Sequence, residues 1–200
     1  MELSLADTLA LSQQCAPAVA AETLLSVVQV ESRFDPLAIG VNGRPRIAVR
    51  AATPKDAAVK ASALIAQGRS VDLGLAQINS RNLDRLGLTV ETAFDPCRNL
   101  AAAARLLQAG YEAEDDAQPA LRRALSRYNT GDPRRGLING YVAKVERAAV
   151  EVVPAIQALP PWPTSPAPPP ADPQPASWDV FGQTGPAGFV MRVSAPGEAP

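Results

Sequence analysis

The chain has 200 residues, about the length of one domain, and its 19 basic and 20 acidic side chains give no basic surface for nucleic acid. It contains no histidine and only two cysteines, which excludes Ser-His-Asp and Cys-His catalysis as well as His-ligated and four-cysteine zinc sites. We therefore expect no metal, no cofactor and no membrane span, and proton chemistry that rests on carboxylates, with tyrosine and lysine behind them.

The first half of the chain predicts helices around one short β element. Ser4 is typical of a helix N-cap, and we expect the first helix to end near Cys15. A second helix over 20–33 is apolar on most sides, which is typical of a helix in the middle of a core. Two apolar runs around Asn42-Gly43 predict a small hairpin over 38–49.

From residue 53 to residue 153 the sequence predicts helices only. They are expected over 53–68, 80–86, 96–114, 118–129 and 138–153. The last is predicted from apolar residues at helical spacing that include Ile138 and Tyr141. Residues 1–153 therefore predict a single, mostly α domain with a small β-hairpin element.

Proline separates this domain from the rest of the chain. Thirteen of the 20 prolines follow residue 153, and such a composition forms neither helix nor central strand because it lacks backbone donors. We expect a proline-rich linker over 154–176 and a flexible tail over 177–200. The apolar residues between Trp178 and Met191 are too few for a core, and they are either an interaction peptide or a solvated segment without a role.

Glu31 is the first candidate for proton chemistry. Leu24, Val27 and Val28 stand seven, four and three residues before it, so the carboxyl group shares their helical face. Burial on an apolar face favours the protonated form and raises the pKa of a carboxyl group, as a general acid requires. The alternative is that Glu31 points to water or pairs with Arg33.

Five short motifs in order resemble the lysozyme-like soluble lytic transglycosylases. They begin at Glu31 and span about 115 residues, and each would be weak evidence alone. The motifs are Glu31-Ser32-x-Phe34, Gly74-Leu75-Ala76-Gln77, Asp95-Pro96-x-x-Asn99, Arg127-Tyr128-Asn129-Thr130-Gly131 and Tyr141-x-x-x-Val145. The chain departs from the family pattern at Ala76, which replaces a methionine, and at Thr130, which replaces an alanine.

The resemblance is strongest to the VirB-type transglycosylases of type IV secretion and conjugation systems. The residues that carry it include the segments 38–43 and 71–75, the Cys15/Cys97 pair and the proline-rich extension. It implies an α+β lysozyme-like fold and cleavage of the β-1,4 bond between N-acetylmuramic acid and N-acetylglucosamine. The muramic acid 6-hydroxyl would attack its own anomeric carbon and leave a 1,6-anhydro end, with Glu31 as acid and then base.

The same resemblance assigns expected roles to other residues. Gln77 is expected to hydrogen-bond the sugar N-acetyl group or Glu31, unless it only caps a turn. Tyr128 and Asn129 are expected to line the cleft, unless Tyr128 belongs to the core. Tyr141 is expected to support Glu31 from behind or to serve only as core. Ser32 is a candidate substrate-binding or supporting residue beside the carboxyl group.

Asp72 and Asn79 are further polar residues close to these motifs. Asp72 is the second carboxylate near the motifs. Unless it is only a turn residue, it makes a hydrolytic muramidase a possible alternative function. Asn79 is expected to be an N-cap.

The cysteines bear on the cellular compartment. A Cys15–Cys97 disulfide would link the first helix to the core and would indicate an oxidising compartment, which for this resemblance is the periplasm. The N-terminus shows no signal peptide, since Glu2 and Asp7 are acidic and no long apolar stretch follows.

Three functions are compatible with the sequence. The first is a lytic transglycosylase that opens the wall for a secretion or conjugation system, with peptidoglycan strands as substrate. The second is a hydrolytic muramidase on the same fold. The third is a non-enzymatic wall-binding factor whose tail recruits channel subunits. We expect a monomer in each case.

Overall fold

The computed structural model describes residues 2–43, 49–112 and 117–160 of the chain. They form a mostly α-helical fold with one small sheet, as the sequence predicts. The elements in chain order are α1 Leu5–Cys15, α2 Ala21–Glu31, β1 Ile39–Val41, α3 Pro54–Ala66, β2 Val71–Leu73, β3 Ile78–Asn79, α4 Leu83–Leu86, α5 Pro96–Gly110, α6 Ala117–Thr130, α7 Arg135–Ile138 and α8 Tyr141–Gln157, with 3₁₀ turns over Ser80–Asn82 and Thr92–Phe94. Among the described helices, none is both long and apolar enough to cross a bilayer.

Helix α2 lies at the centre of the core. Leu24, Leu25, Val27 and Val28 are completely buried, and α2 packs most extensively against α8, with further contacts to α1 and α5. The predicted position of this helix is confirmed, although it ends at Glu31 rather than near residue 33. Arg33 and Phe34 follow with positive φ angles, so the chain turns away from the helix axis immediately after Glu31.

Helix α1 is capped at its N-terminus and covalently linked to α5 at its C-terminus. The Ser4 side chain accepts a hydrogen bond from the Asp7 backbone amide, which confirms it as the N-cap. Cys15, the last residue, forms a disulfide with Cys97 in the first turn of α5, 82 residues further along the chain. The expected pairing of the two cysteines is therefore confirmed.

The β element differs from the predicted hairpin. β1 pairs antiparallel with β2, and β2 with β3, in the order β1-β2-β3. Only the Ile39–Val49 bridge joins the two predicted hairpin strands within the described residues, and residues 44–48 lie outside them. That bridge is antiparallel, as the predicted hairpin requires. The prediction lacked the pairing of β1 with β2, because a contact over 30 residues is not visible in local periodicity.

The C-terminal helical region differs from the predicted single helix over 138–153 in where its helices begin and end. Gly140, with a φ of 81°, separates the short α7 from α8, so Ile138 lies outside the apolar face of α8 and is 84% exposed. Helix α8 runs to Gln157 and contains Pro154, which the sequence placed in the linker. Proline is tolerated there because the carbonyl that loses its donor belongs to the exposed Val150. The tail over 161–200, including the predicted interaction peptide, lies outside the described residues.

Candidate active site

A cavity of about 480 Å³ opens between the sheet and the helices α2, α5 and α6. Its lining contains two carboxylates, Glu31 and Asp72, which stand on different elements. We call the side formed by Glu31, Tyr128 and Tyr141 the helical wall, and the side formed by Asp72, Asn42 and Asn79 the sheet wall. All of these residues except Tyr141 line the cavity directly.

Glu31 is the C-terminal residue of α2, the most buried helix of the fold. Burial, the largest influence, raises the pKa of its carboxyl group from 4.5 to about 7, and the negative charge of Asp72 acts in the same direction. The hydrogen bond from Tyr141 and the charge of Lys144 oppose this rise. A carboxyl group with this pKa exists in both protonation states near neutral pH, as a group that gives and then takes back a proton requires.

Tyr141 holds Glu31 from behind. Its hydroxyl donates to Glu31 Oε1 at 2.6 Å, while its ring is buried at the first turn of α8. The Tyr141 backbone amide donates to Asn139 Oδ1 at 2.9 Å, and the Asn139 side chain donates to Asn129 Oδ1 at 3.0 Å. This chain of hydrogen bonds links the position of the acid to the cavity-lining Asn129, a connection through Asn139 that no sequence motif indicated.

Tyr128 connects the helical wall to the loop before β3. Its hydroxyl donates to the carbonyl of Ala76 at 2.6 Å, so its proton is committed to the backbone and only the oxygen lone pairs remain for a ligand. Burial, together with the charges of Glu31 and Asp72, raises the pKa of Tyr128 well above its usual value. Tyr128 is therefore a neutral donor that fixes the loop before β3 and not a second acid.

Asp72 is the middle residue of strand β2 and not a turn residue. Asn79 Nδ2 donates to its Oδ1 at 2.6 Å and Asn42 Nδ2 to its Oδ2 at 2.8 Å. Burial raises the pKa of Asp72, and these two amide donors oppose the rise because they favour the ionised form. Alternation of Val71, Asp72 and Leu73 is the sequence signal that would have predicted a half-buried strand with this carboxylate on its polar face.

The side chain of Gln77 is turned largely toward the protein. Gln77 has a φ of 50°, and its Nε2 donates to the backbone carbonyls of Ala38 and Gly74 at 3.1 and 2.9 Å. Its Oε1 lies so close to Gly40 that a Cβ at residue 40 would be only 2.6 Å away. The side chain thus ties the loop before β3 to the end of β1, although it also lines the cavity.

The loop before β3 is held by Asn99, which is completely enclosed at the start of α5. Its Nδ2 donates to the carbonyls of Leu73 and Ala93 at 2.8 and 2.7 Å, and its Oδ1 accepts from the Ala76 amide at 2.8 Å. Gly74 packs directly against this amide group, since a Cβ there would lie 2.6 Å from Asn99 Nδ2. Asn99 is therefore a positioning residue for the segment that carries Gln77 and the carbonyl bound by Tyr128.

Ser32 is not part of the cavity. Its hydroxyl donates back to the Val28 carbonyl at 3.4 Å, and it is absent from the residues that line the cavity. Ser32, a candidate substrate-binding or supporting residue, lies outside the cavity lining because α2 ends at Glu31, so the next residue leaves its face. Asn79 is an N-cap as predicted, with its Oδ1 accepting from the Arg81 amide at 3.1 Å, and it also supports Asp72.

The described residues contain no group of three or more Cys, Asp or Glu side chains that could hold a metal ion.

Comparison with known proteins identifies a family to which the chain belongs. Residues 8–149 match the family described as transglycosylase SLT domain, so the match spans the site from α1 to α8. No solved structure matches the chain significantly.

Three curated relatives have VirB1 names. The protein virB1 of Agrobacterium fabrum is 47% identical over 161 residues, which are 79% of this chain and 65% of that protein. The protein virB1 of Rhizobium radiobacter is 44% identical over 188 residues, 90% of this chain and 74% of that protein. The type IV secretion system protein virB1 of Brucella suis is 39% identical over 168 residues, 76% and 70% of the two chains. The chain thus spans just under two thirds of the first of these relatives.

Proposed function

Because the chain belongs to the transglycosylase SLT domain family, we propose that it is a peptidoglycan lytic transglycosylase with Glu31 as its acid and base. The substrate is the β-1,4 bond between N-acetylmuramic acid and N-acetylglucosamine. The observation that carries the proposal is the buried Glu31 carboxyl group, whose pKa is raised to about 7 at the edge of a polar cavity.

The reaction needs one proton carrier. Protonated Glu31 gives its proton to the glycosidic oxygen as the bond from that oxygen to the muramic acid C1 breaks. The muramic acid 6-hydroxyl then bonds to C1 and returns its proton to the Glu31 carboxylate, so the enzyme regains its starting state and no water is consumed. The products are a strand with a free N-acetylglucosamine 4-hydroxyl and a strand with a 1,6-anhydro end. The substrate's own N-acetyl oxygen can stabilise the positive charge at C1 between the two steps.

Tyr141 and the sheet wall support this sequence of events. The Tyr141 hydroxyl fixes Glu31 Oε1 and leaves Oε2 for the glycosidic oxygen. Asp72, held by two asparagine amides at the same cavity, places a carboxylate where positive charge develops during cleavage.

Product analysis by mass spectrometry tests the proposal. Purified peptidoglycan is digested with the native chain and with Glu31→Gln, which keeps the size of the side chain but removes the acid. We expect fragments lighter than hydrolytic products by the mass of one water molecule, and none from the variant. Anhydro products from Glu31→Gln, or no products from the native protein with its disulfide intact, would contradict the proposal.

A hydrolytic muramidase is the second candidate, and Asp72 is the observation that favours it. Glycosidases commonly use two carboxylates, and Asp72 shares the cavity with Glu31. Products with reducing ends from the native chain would establish this candidate, and Asp72 would then be the residue to test as base or nucleophile.

We also propose that the chain acts outside the cytoplasm and opens the wall locally for a type IV secretion system. Its Brucella suis relative is named as a protein of such a system, and the Cys15–Cys97 disulfide is stable in an oxidising compartment such as the periplasm. Loss of secretion or conjugation in a strain that carries Glu31→Gln, with the protein level unchanged, is the expected result. Full complementation by that variant would instead favour a non-enzymatic wall-binding factor.

A further inference from the structure

A second cavity, of about 860 Å³, adjoins the candidate active site. The two cavities share four lining residues, Asn42, Asn79, Asn129 and Thr130. The second cavity is therefore continuous with the cleft and extends it beyond the sheet wall toward α7. We call it the arginine pocket, after Arg69, Arg81 and Arg135 in its lining.

The arginine pocket differs in charge from the active site, whose lining holds two carboxylates and also two arginines, Arg85 and Arg127. Among the described residues, the lining of the arginine pocket holds three arginines and no aspartate or glutamate, although the whole chain has a net charge of −1. The side chains of Arg81 and Arg135 form no hydrogen bond or ion pair within the part of the chain that the structure describes. Asp132 is an acidic residue close to Arg135. The backbone amides of Arg134 and Arg135, and after them the charges of these two arginines, lower the pKa of the Asp132 carboxyl group.

The three arginines stand on parts of the fold that hold them in place. Arg69 precedes β2 and donates to the backbone carbonyl of Asn42 at 3.2 Å. Arg81 lies in the 3₁₀ turn that Asn79 caps. Arg135 begins α7, which is fixed to α6 because the Gly136 amide donates to the buried Ser126 hydroxyl at 2.8 Å. The three arginines therefore stand on three separate elements whose backbones are held by these contacts.

We propose that the arginine pocket binds the carboxylates of the stem peptide on the muramic acid beside the scissile bond. This inference rests on the proposed function, since it assigns a binding place to the acidic part of the same substrate. A stem peptide of about four residues reaches roughly 13–14 Å when extended, enough to pass from the cleft into an adjoining pocket. Arginine suits carboxylates because its planar donors match their two oxygens.

Binding of a soluble muropeptide tests the inference without catalysis. The full chain carrying Glu31→Gln is titrated with a disaccharide that bears the stem peptide, with and without the further pair Arg81→Gln and Arg135→Gln. We expect affinity to fall about tenfold in the pair, the effect of two partly exposed ion pairs. Arg134→Gln is the matched control, because Arg134 is exposed and adjacent to Arg135 but absent from the pocket lining.

Two binding results would overturn the inference. One is equal affinity in the arginine pair and the Arg134→Gln control. The other is a muropeptide with amidated carboxylates that binds as tightly as the acidic one. Displacement of the muropeptide by inorganic phosphate at similar concentration would show a non-selective anion site and would also contradict the assignment.

Cleavage kinetics supply a second readout. Intact strands are compared with strands from which an amidase has removed the stem peptides. The arginine pair should lower kcat/KM for the peptide-bearing strands about tenfold more than for the bare strands, mainly through KM. An equal loss on both substrates would contradict the inference. If the native chain cleaves neither substrate, the proposed function fails, whereas the muropeptide titration still decides whether the pocket binds the peptide.

Discussion

The helical wall and the sheet wall present one carboxyl group each to the same cavity, and burial raises the pKa of both groups, but different donors oppose that rise. Glu31 is buried with a single phenol donor, and its pKa rises to about 7. Asp72 is also partly buried, but two asparagine amides donate to its oxygens and favour the ionised form. The helical wall thus opposes the effect of burial with one phenol donor, and the sheet wall opposes it with two amide donors.

The same contrast extends to how each wall is built. Glu31 is positioned by regular helix packing of α2 against α8, which the apolar spacing of α2 determines. Asp72 is positioned by a short sheet whose loop depends on Gly74 and on the buried Asn99. Substitutions in the two walls should therefore fail in different ways, through chemistry in one and through local folding in the other.

The largest expected difference is between Glu31→Gln and Asp72→Asn. Loss of a general acid costs about a thousandfold in kcat, whereas loss of a fixed charge at a partly exposed site costs about tenfold. Steady-state release of muropeptides from purified peptidoglycan measures both variants. Equal losses would mean that Asp72 also carries a proton or attacks the sugar, which would favour the hydrolytic candidate.

Removing the support of the sheet wall should come next in size. In Gly74→Ala the new Cβ meets Asn99 Nδ2 and the Ala93 carbonyl, at a φ of 74°. The left-handed conformation and the disturbed buried amide together should lower the free energy of unfolding by about 3–4 kcal/mol. Urea denaturation measures the change.

Gly68→Ala is the matched control for Gly74→Ala. Gly68 has a φ of 77°, but nothing lies within 4 Å of the position of its Cβ. Only the conformational cost of about 1 kcal/mol should remain. If both substitutions cost the same, the contact between Gly74 and Asn99 does not hold the loop.

The helical wall was the more predictable of the two. The spacing of Glu31 from Leu24, Val27 and Val28 places the carboxyl group on the core face of α2, because helical periodicity is a local property. The pairing of β1 with β2 depends on contacts over 30 residues, which the local Asn42-Gly43 signal could not indicate. Ser32 shows the limit of the local argument, because one residue past the helix end the periodicity no longer applies.

Burial of Glu31 should also appear in the stability of the protein. Because its pKa is higher in the folded state than the unperturbed 4.5, the contribution of Glu31 to the free energy of unfolding is complete below about pH 4.5 and is lost as the pH rises through about 7. Glu31→Gln carries no such charge. Its stability relative to the native chain should therefore increase between pH 5 and 8, by up to about 3 kcal/mol at about 1.4 kcal/mol per pH unit.

Thermal unfolding of the two proteins from pH 4 to pH 9 measures this difference. Asp72→Asn is a useful third protein, because the charge of Asp72 contributes to the raised pKa of Glu31. In this variant the loss of stability that Glu31 causes should be smaller and should end at a lower pH than in the native chain, because the folded-state pKa of Glu31 is lower. A difference between native and Glu31→Gln that does not change with pH would show that Glu31 is solvated in the folded protein.

Tyr141→Phe should give the smallest effect and the sharpest comparison with the sheet wall. The hydrogen bond from Tyr141 lowers the pKa of Glu31. Its removal takes away the phenol donor to the Glu31 carboxyl group and should therefore raise that pKa above about 7. The alkaline limb of the pH–rate profile should move to higher pH, and kcat should fall about tenfold because the carboxyl group loses its fixed orientation. The pH profiles of kcat/KM and of kcat measure the shift of the alkaline limb and the fall in kcat.

Tyr128→Phe separates this effect from the general loss of a buried hydroxyl. The Tyr128 hydroxyl donates to the Ala76 carbonyl and not to Glu31, so its removal should lower activity without moving the alkaline limb. A shift of the limb in both variants would mean that the cavity as a whole sets the pKa of Glu31. A shift in Tyr141→Phe alone would show that a single donor adjusts the pKa of Glu31 on the helical wall, as two asparagine donors oppose the raised pKa of Asp72 on the sheet wall.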